Sequence, residues 1–315
     1  MLTPRRPAGE AERFAMTAAA DVLGVSQVHP DADLWSQGLD EAMASELAAT
    51  LADAGWPGLD SQRLLGLRSP AAIARERPRD VLQATATVTF NSSGGRPPLF
   101  AIPGSGGTAL AYWWLARELG EQQPIVVCEP HGLRSTGWAD FTVERAARRV
   151  VREVVASLTP GRVVLTAYSA GGMIAVETAR QLGERGYGAH VVLLDCTIGD
   201  TAGRAINPPP RDARTKARRA FMRAWLRVLP ARTVPPVLRY RAYFHIGVRA
   251  RRRYTESHPT FPVTLFHPVP SDYAADWADS ADPLTVVPVP GDHYTMIEPP
   301  HVAVLAQEMR RILAG

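Results

Sequence analysis

The stretch Val163-Val-Leu-Thr-Ala-Tyr-Ser169-Ala-Gly-Gly-Met-Ile-Ala-Val-Glu-Thr-Ala-Arg-Gln-Leu182 decides the fold class. Val163–Thr166 is a short β-branched and apolar run that reads as a buried strand, and residues 171–184 carry helical spacing. Between them Ser169 sits on a turn so short that its neighbours must be small, as Ala170, Gly171 and Gly172 are. A serine raised on a sharp strand-to-helix turn is the nucleophile-elbow arrangement. One position departs from the usual string: Ala167 stands where glycine is customary, adding one methyl group and an expectation of some strain.

Working outward, short apolar runs alternate with helical ones from Thr85 onward. The strands are expected at Thr85–Phe90, Leu99–Ile102, Ile125–Cys128, Val163–Thr166, Val191–Leu194, Val263–Phe266 and Leu284–Val287, and helices at 109–118, 143–157, 171–184 and 302–313. That alternation implies an α/β fold with a mostly parallel sheet covered by helices on both faces. Residues 9–78 read instead as helices alone: Ala11–Leu23, Leu39–Ala54 and a third beginning at Pro70–Arg75, punctuated by Val28-His-Pro-Asp-Ala-Asp and Gly55-Trp-Pro-Gly. Two domains are therefore expected, 1–80 and 81–315, with the boundary near 78–84. Residues 196–260 are too long for an ordinary connection between strands. They read as a helical insertion: either a lid, with Phe221, Trp225, Leu226 and Leu229 beneath and Arg219, Arg223 and Arg227 above, or a solvated helix.

Composition narrows the class. With 315 residues, 46% hydrophobic and 21% charged, the chain is a soluble globular protein, which excludes a fibre or a disordered tail. Cys128 and Cys196 suggest neither a disulfide framework nor a metal set. Met1-Leu-Thr-Pro-Arg-Arg lacks a signal core and no run approaches 18 apolar residues, so a cytoplasmic protein is expected. The net charge of +4 hides a segregation. Residues 1–80 carry 8 basic and 12 acidic side chains, whereas residues 204–253 carry 15 basic ones against the single acid Asp212. Lys216 is the only lysine, so the basic segment is arginine.

A serine nucleophile needs a base, and the base needs an acid to orient it. Asp195 ends the strand that follows Ser169, and His293, in Val289-Pro-Gly-Asp-His-Tyr-Thr-Met, lies between the last strand and the last helix. The order serine, acid, histidine is that of α/β-hydrolases. Asp272, soon after the strand at Val263, competes as the acid; His131 and His267, each following a strand, are the rival histidines. The backbone N–H of Ala170 and that of Ser105, in Ile102-Pro-Gly-Ser105-Gly-Gly, are expected to form the oxyanion hole. That glycine loop lacks the G-K-[ST] and G-x-G-x-x-G patterns of phosphate binding.

Over about residues 97–312 the chain resembles the thioesterase domains of non-ribosomal peptide and polyketide synthases, which belong to the α/β-hydrolase superfamily. Pro98-Leu-Phe-Ala-Ile-Pro, the elbow and its helix, Val191-Val-Leu-Leu-Asp, Pro290-Gly-Asp-His-Tyr-Thr-Met and Pro299-Pro-His-Val carry the likeness. The resemblance implies Ser169, Asp195 and His293 as the triad, favours Asp195 over Asp272, and makes 196–260 the family's lid. The first eighty residues are similar to an acyl or peptidyl carrier domain, through Val22-Leu-Gly-Val, Val28-His-Pro-Asp-Ala-Asp-Leu and Leu64-Leu-Gly-Leu-Arg-Ser-Pro-Ala-Ala-Ile-Ala. They depart from it where it matters. The serine that holds phosphopantetheine in carriers is replaced by Glu41, in Gly38-Leu-Asp-Glu41, and a carboxylate does not form that phosphodiester.

The resemblance thus implies a serine thioesterase or acyltransferase acting through an acyl-Ser169 intermediate, with release by hydrolysis, cyclisation or transfer. As the chain starts at Met1 with only this serine-less module ahead of the α/β part, the acyl donor is expected to be a carrier protein in trans. No metal and no cofactor are expected beyond the phosphopantetheine that such a partner presents. Arg219, Arg223 and Arg227 are expected to guide the acidic carrier; nucleic acid and membrane are not expected partners. A non-catalytic adaptor docking assembly-line partners is the alternative, and a general esterase a weaker third reading.

Overall fold

The computed structural model describes residues 5, 7–78, 85–157, 162–196, 212–230, 233–255, 259–269, 277 and 283–314. The chain divides into two compact units, Met1–Val81 and Leu82–Gly315. Among the described residues no helix is long and apolar enough to cross a membrane.

The first unit is all helical: α1 (Glu10–Leu23), α2 (Glu41–Asp53), α3 (Ser61–Leu67) and α4 (Pro70–Glu76), with a short 3-10 turn at Trp35–Gln37. Asp40, Asp60 and Ser69 cap α2, α3 and α4 through their side chains, satisfying N–H groups that a helix start leaves open. Trp56 fixes the core: it is buried, stacks on Phe14 at 5.6 Å and donates its indole N–H to the Ile73 carbonyl at 2.9 Å. Glu41 is the first residue of α2 and is exposed. The sequence reading lacked α3, because Gly66 and the short length left too little periodicity to register.

The second unit holds a seven-stranded sheet in the order β1-β3-β2-β4-β5-β6-β7. Its strands are β1 (Thr87–Phe90), β2 (Leu99–Ile102), β3 (Ile125–Cys128), β4 (Val163–Tyr168), β5 (Ala189–Leu194), β6 (Val263–Pro268) and β7 (Leu284–Val289). All pairings are parallel except β1 with β3, an antiparallel edge. The helices are α5 (Trp113–Leu119), α6 (Val143–Ser157), α7 (Gly172–Gly183), α8 (Ala213–Val228), α9 (Pro236–Arg251) and α10 (Val302–Ala314). Side chains alternate across a strand, so Phe100, Ile102, Leu165, Val191 and Leu193 face the cluster built with α6 and α7. Leu99, Ala101 and Val192 point the other way, and α5 and α10 pack on each other outside that cluster. Central β2, β4 and β5 are buried along almost their whole length, as a sheet covered on both faces requires.

The insertion is described in its two helices, α8 and α9; residues 197–211, 231–232 and 256–258 lie outside the described residues, as does Asp272. Leu226 is buried with Leu133, Ala139, Val234, Ala242, Tyr243 and Ile246, and Met222 and Trp225 pack against them. The expected apolar underside is only half right. Phe221 and Leu229 are exposed, because the body offers α8 a narrow seat that Met222, Trp225 and Leu226 already fill. Helix α9 is moored to the body: Tyr243 donates its hydroxyl to the His131 carbonyl at 2.8 Å, and Arg239 donates to the Leu133 carbonyl at 3.1 Å.

Candidate active site

Register places the site. Tyr168 on β4 pairs with Leu194 on β5, so the next residues, Ser169 and Asp195, leave the sheet side by side at its carboxyl edge. In open α/β sheets, ligands collect at that edge. Both residues take positive φ, 54° at Ser169 and 45° at Asp195, a region that L-residues with a Cβ seldom occupy. Such strain persists only where the surroundings enforce it, and it concentrates at functional sites. Here enforcement is visible. A Cβ on Gly171 would lie 2.6 Å from the Ile102 carbonyl oxygen and 2.7 Å from that of Pro103, so only glycine lets α7 start this close to β2. Ala167 is fully buried within the α6–α7 cluster, and the turn after it is formed.

His293 reaches this edge from the loop after β7. Its Nδ1 lies 2.6 Å from Asp195 Oδ2, and Asp195 is 2% exposed. A carboxylate oxygen can only accept, so Nδ1 carries the hydrogen and Nε2 is left as the basic nitrogen. The Asp195 turn is itself held: its N–H donates to the Phe266 carbonyl at 2.8 Å, and the next residue's carbonyl accepts from the buried Trp277 indole at 2.8 Å. The His293 loop is closed by Asp292, whose carboxylate accepts the N–H groups of Tyr294 and Thr295. Tyr168, beside Ser169, stacks on the His293 ring at 5.1 Å and donates its hydroxyl to the His293 carbonyl at 2.5 Å. Tyr168 was not singled out in the sequence, although it lies inside the elbow; nothing in its spacing announces a contact 125 residues away.

The loop after β2 closes the other side. Gly107 N–H donates to the Gly104 carbonyl at 2.9 Å, making a turn tipped by Ser105 and Gly106, with Gly106 at φ 71°. A Cβ on Gly104 would touch the Ser169 Cβ at 3.4 Å, so this loop runs directly beside the nucleophile candidate. Ser105 and Ala170 both line a cavity of about 280 Å³. Its walls include Ile174, Val150, Tyr243 and Ile246, with the ionisable Glu129, Asp140 and Arg149 among the lining side chains. Burial and the nearby Glu153 push the Cys128 thiol in this wall up to about 12, so it is no rival nucleophile. Of the rival histidines, His131 also lines the cavity, but its Nδ1 donates to the Trp138 carbonyl at 2.9 Å; His267 lies on β6.

The mostly parallel sheet, the strand-to-helix elbow and the late histidine loop together define an α/β-hydrolase fold. Residues 97–228, from β2 through Ser169 and Asp195 to the end of α8, match the model of the Thioesterase domain family. A curated relative, indigoidine synthase of Dickeya dadantii (strain 3937), is 30% identical over 95 residues, which is 30% of this chain and 6% of that protein. The chain therefore spans only a small part of that relative. Among solved structures, the NocB thioesterase domain from the nocardicin cluster matches 73% of this chain and 99% of its own, at 20% identity and a TM-score of 0.57. Holo-AB3403, a four-domain nonribosomal peptide synthetase bound to AMP and glycine, matches 99% of this chain and 27% of its own, at 21% identity and a TM-score of 0.59.

Proposed function

We propose that the protein is a serine thioesterase or acyltransferase of peptide or other secondary-metabolite assembly, taking an acyl or peptidyl chain from a carrier thioester. The observation that carries this reading is the 2.6 Å contact between His293 Nδ1 and the buried Asp195, at the sheet edge where Ser169 is held at φ 54°. The match to the Thioesterase domain model supports a thioester as the bond attacked.

In this reading His293 Nε2 takes the Ser169 proton as Oγ attacks the thioester carbonyl carbon, while Asp195 fixes the imidazole and stabilises its charged form. The N–H groups of Ser105 and Ala170 receive the oxyanion; a single donor of this kind is typically worth about 10²–10³ in rate. Collapse of the tetrahedral species breaks the carbon–sulfur bond, and the departing thiolate takes the proton from His293. The acyl-Ser169 ester is then attacked by an acceptor that His293 deprotonates: water, a nucleophile within the chain, or a separate amine or alcohol. No metal or bound cofactor enters; phosphopantetheine arrives as part of the substrate on a carrier in trans.

The first unit is read as a carrier-like bundle without the attachment serine. The 99% coverage by the four-domain synthetase, against 73% by the isolated thioesterase domain, supports this, and exposed Glu41 at the start of α2 is consistent with it. The test is intact-protein mass spectrometry after mixing with acyl-loaded carrier. The acyl mass is expected on wild-type protein and absent from Ser169→Ala; equal transfer to both, or none to either, contradicts the proposal and favours a non-catalytic adaptor.

A further inference from the structure

Helix α9 has two unlike faces. Tyr243, Ile246, Gly247 and Ala250 line the cavity beside Ser105 and Ala170, while Arg241 and Arg249 are exposed on its other side. Helix α8, which packs on α9, carries Arg218, exposed, and Arg219 and Arg223, both half-buried. Consistent with that packing, burial first, then Arg219, Arg241, Arg218 and Arg223, pull the His245 imidazole down to about 4. Arg219 is likewise held below its ordinary value by burial and then by Arg218, Arg241 and Arg223, and Arg249 by burial, Arg253, Arg223 and Arg227. Seven arginines, on α8, on α9 and in the turn after it, thus share one electrostatic neighbourhood.

Their counter-charge on α8 and α9 is slight, and it comes from Asp212, which acts on Arg218 and Arg219. Asp212 is the only acid in residues 212–230 and 233–255, and it also caps α8 through the Thr215 N–H. None of Arg218, Arg219, Arg223, Arg241 and Arg249 pairs with a described carboxylate. Like charges brought together with little counter-charge disfavour the folded arrangement unless an anionic ligand repays it, and they speed encounter with one. Arg227 is differently placed, over the Phe141 ring at 5.2 Å.

The same helices expose apolar surface: Phe221 is 58% and Val228 70% exposed, with Leu229 and Leu238 nearby in sequence also exposed. Aromatic and aliphatic side chains among arginines are the composition of a protein-binding surface, not of a site for a free phosphate or a nucleic-acid backbone alone. We propose that the outer face of α8 and α9 is the docking surface for an acidic protein, the carrier that presents the acyl thioester, with exposed Arg218, Arg241 and Arg249 as its contacts and half-buried Arg219 and Arg223 adding charge behind them. This rests on the thioesterase reading and adds the surface that selects the donor. The first unit shows the kind of chemistry a carrier-like bundle offers: Asp40, Glu41 and Glu46 are all exposed around the start of α2. Because α9 also walls the cavity, a partner held on its outer face is separated from that cavity by one helix.

The test compares two donors of one acyl group, a carrier protein and N-acetylcysteamine, using the full chain. The double reversal Arg218→Glu with Arg241→Glu is expected to lower kcat/KM for the carrier donor at least tenfold and leave that for the small thioester within twofold. Arg218→Lys with Arg241→Lys is expected to retain most carrier turnover. Raising ionic strength from about 0.05 to 0.5 M should suppress only the carrier reaction. Equal loss on both donors, or none on either, overturns the docking proposal while leaving the thioesterase reading intact. So does binding of duplex DNA or inorganic polyphosphate through these arginines with carrier kinetics unchanged. If wild type turns over neither donor, the thioesterase reading fails, and the docking proposal with it.

Discussion

Ser169 and Asp195 hold backbone angles that neither would choose alone, and the neighbours that force them are single atoms. Gly171→Ala sets a Cβ against two carbonyl oxygens of the β2 loop, at 2.6 and 2.7 Å. Overpacking of this kind typically costs about 1–3 kcal/mol, so a lower thermal midpoint is expected together with loss of thioester hydrolysis. A variant as stable and active as wild type would show that the turn is looser than described. Asp195→Asn leaves the shape but no longer fixes the imidazole hydrogen on Nδ1. A fall in kcat of about 10⁴ is the expectation, with KM little changed, measured on a small thioester. A change below tenfold would assign the orienting role to another acid, with Asp272 the first to examine. The local pattern was legible at this scale, since the elbow's serine and small residues announce themselves. The Tyr168 contact with the His293 loop was not, because it depends on how two distant segments meet.

At the scale of elements, apolar runs bounded by Pro, Gly or charged residues marked the strands well: β2 and β3 span the residues expected, and α6 covers 143–157. What the pattern does not encode is partner and direction. Four residues of β1 look alike whether they pair parallel or antiparallel, and the antiparallel edge is settled only by the path of the chain. The faces of α8 were misjudged for a related reason: periodicity identifies an apolar stripe, while the width of the seat beneath decides how much of it is buried. Ser169, Asp195 and His293 were chosen for their positions after β4, β5 and β7, and the structure brings Asp195 and His293 into contact. The role of α9 as a wall beside the Ser105 loop had no sequence signal beyond one glycine. A Cβ on Gly247 would meet Ser105 Oγ at 2.7 Å and Cβ at 3.1 Å. Gly247→Val is therefore expected to displace that loop and lower kcat about tenfold or more on a small thioester. Unchanged turnover would separate α9 from the chemistry.

For the molecule as a whole, acidification has a predictable sign. His190 Nδ1 accepts from Arg162 at 2.7 Å, so its Nε2 carries the hydrogen and donates to Thr264 Oγ1 at 2.8 Å. Burial, then Arg162, pulls this imidazole from 6.5 down to about 4, and His245 is lowered to about 4 as well. Between those values the unfolded chain binds more protons than the folded one, so stability is present above pH 6.5 and falls as pH drops towards 4. Urea midpoints across that window should decrease, and His190→Gln should flatten the slope; a midpoint that rises on acidification would contradict the described environments. The net charge of +4 likewise says little until it is divided between an acidic first unit and an arginine-rich insertion. The central claim concerns one oxygen atom, and a fluorophosphonate probe with peptide mapping tests it most directly. The account predicts a single adduct on Ser169, absent from Ser169→Ala and formed at least a hundredfold more slowly in His293→Ala. A folded protein that remains unlabelled, or is labelled at another residue, would contradict it.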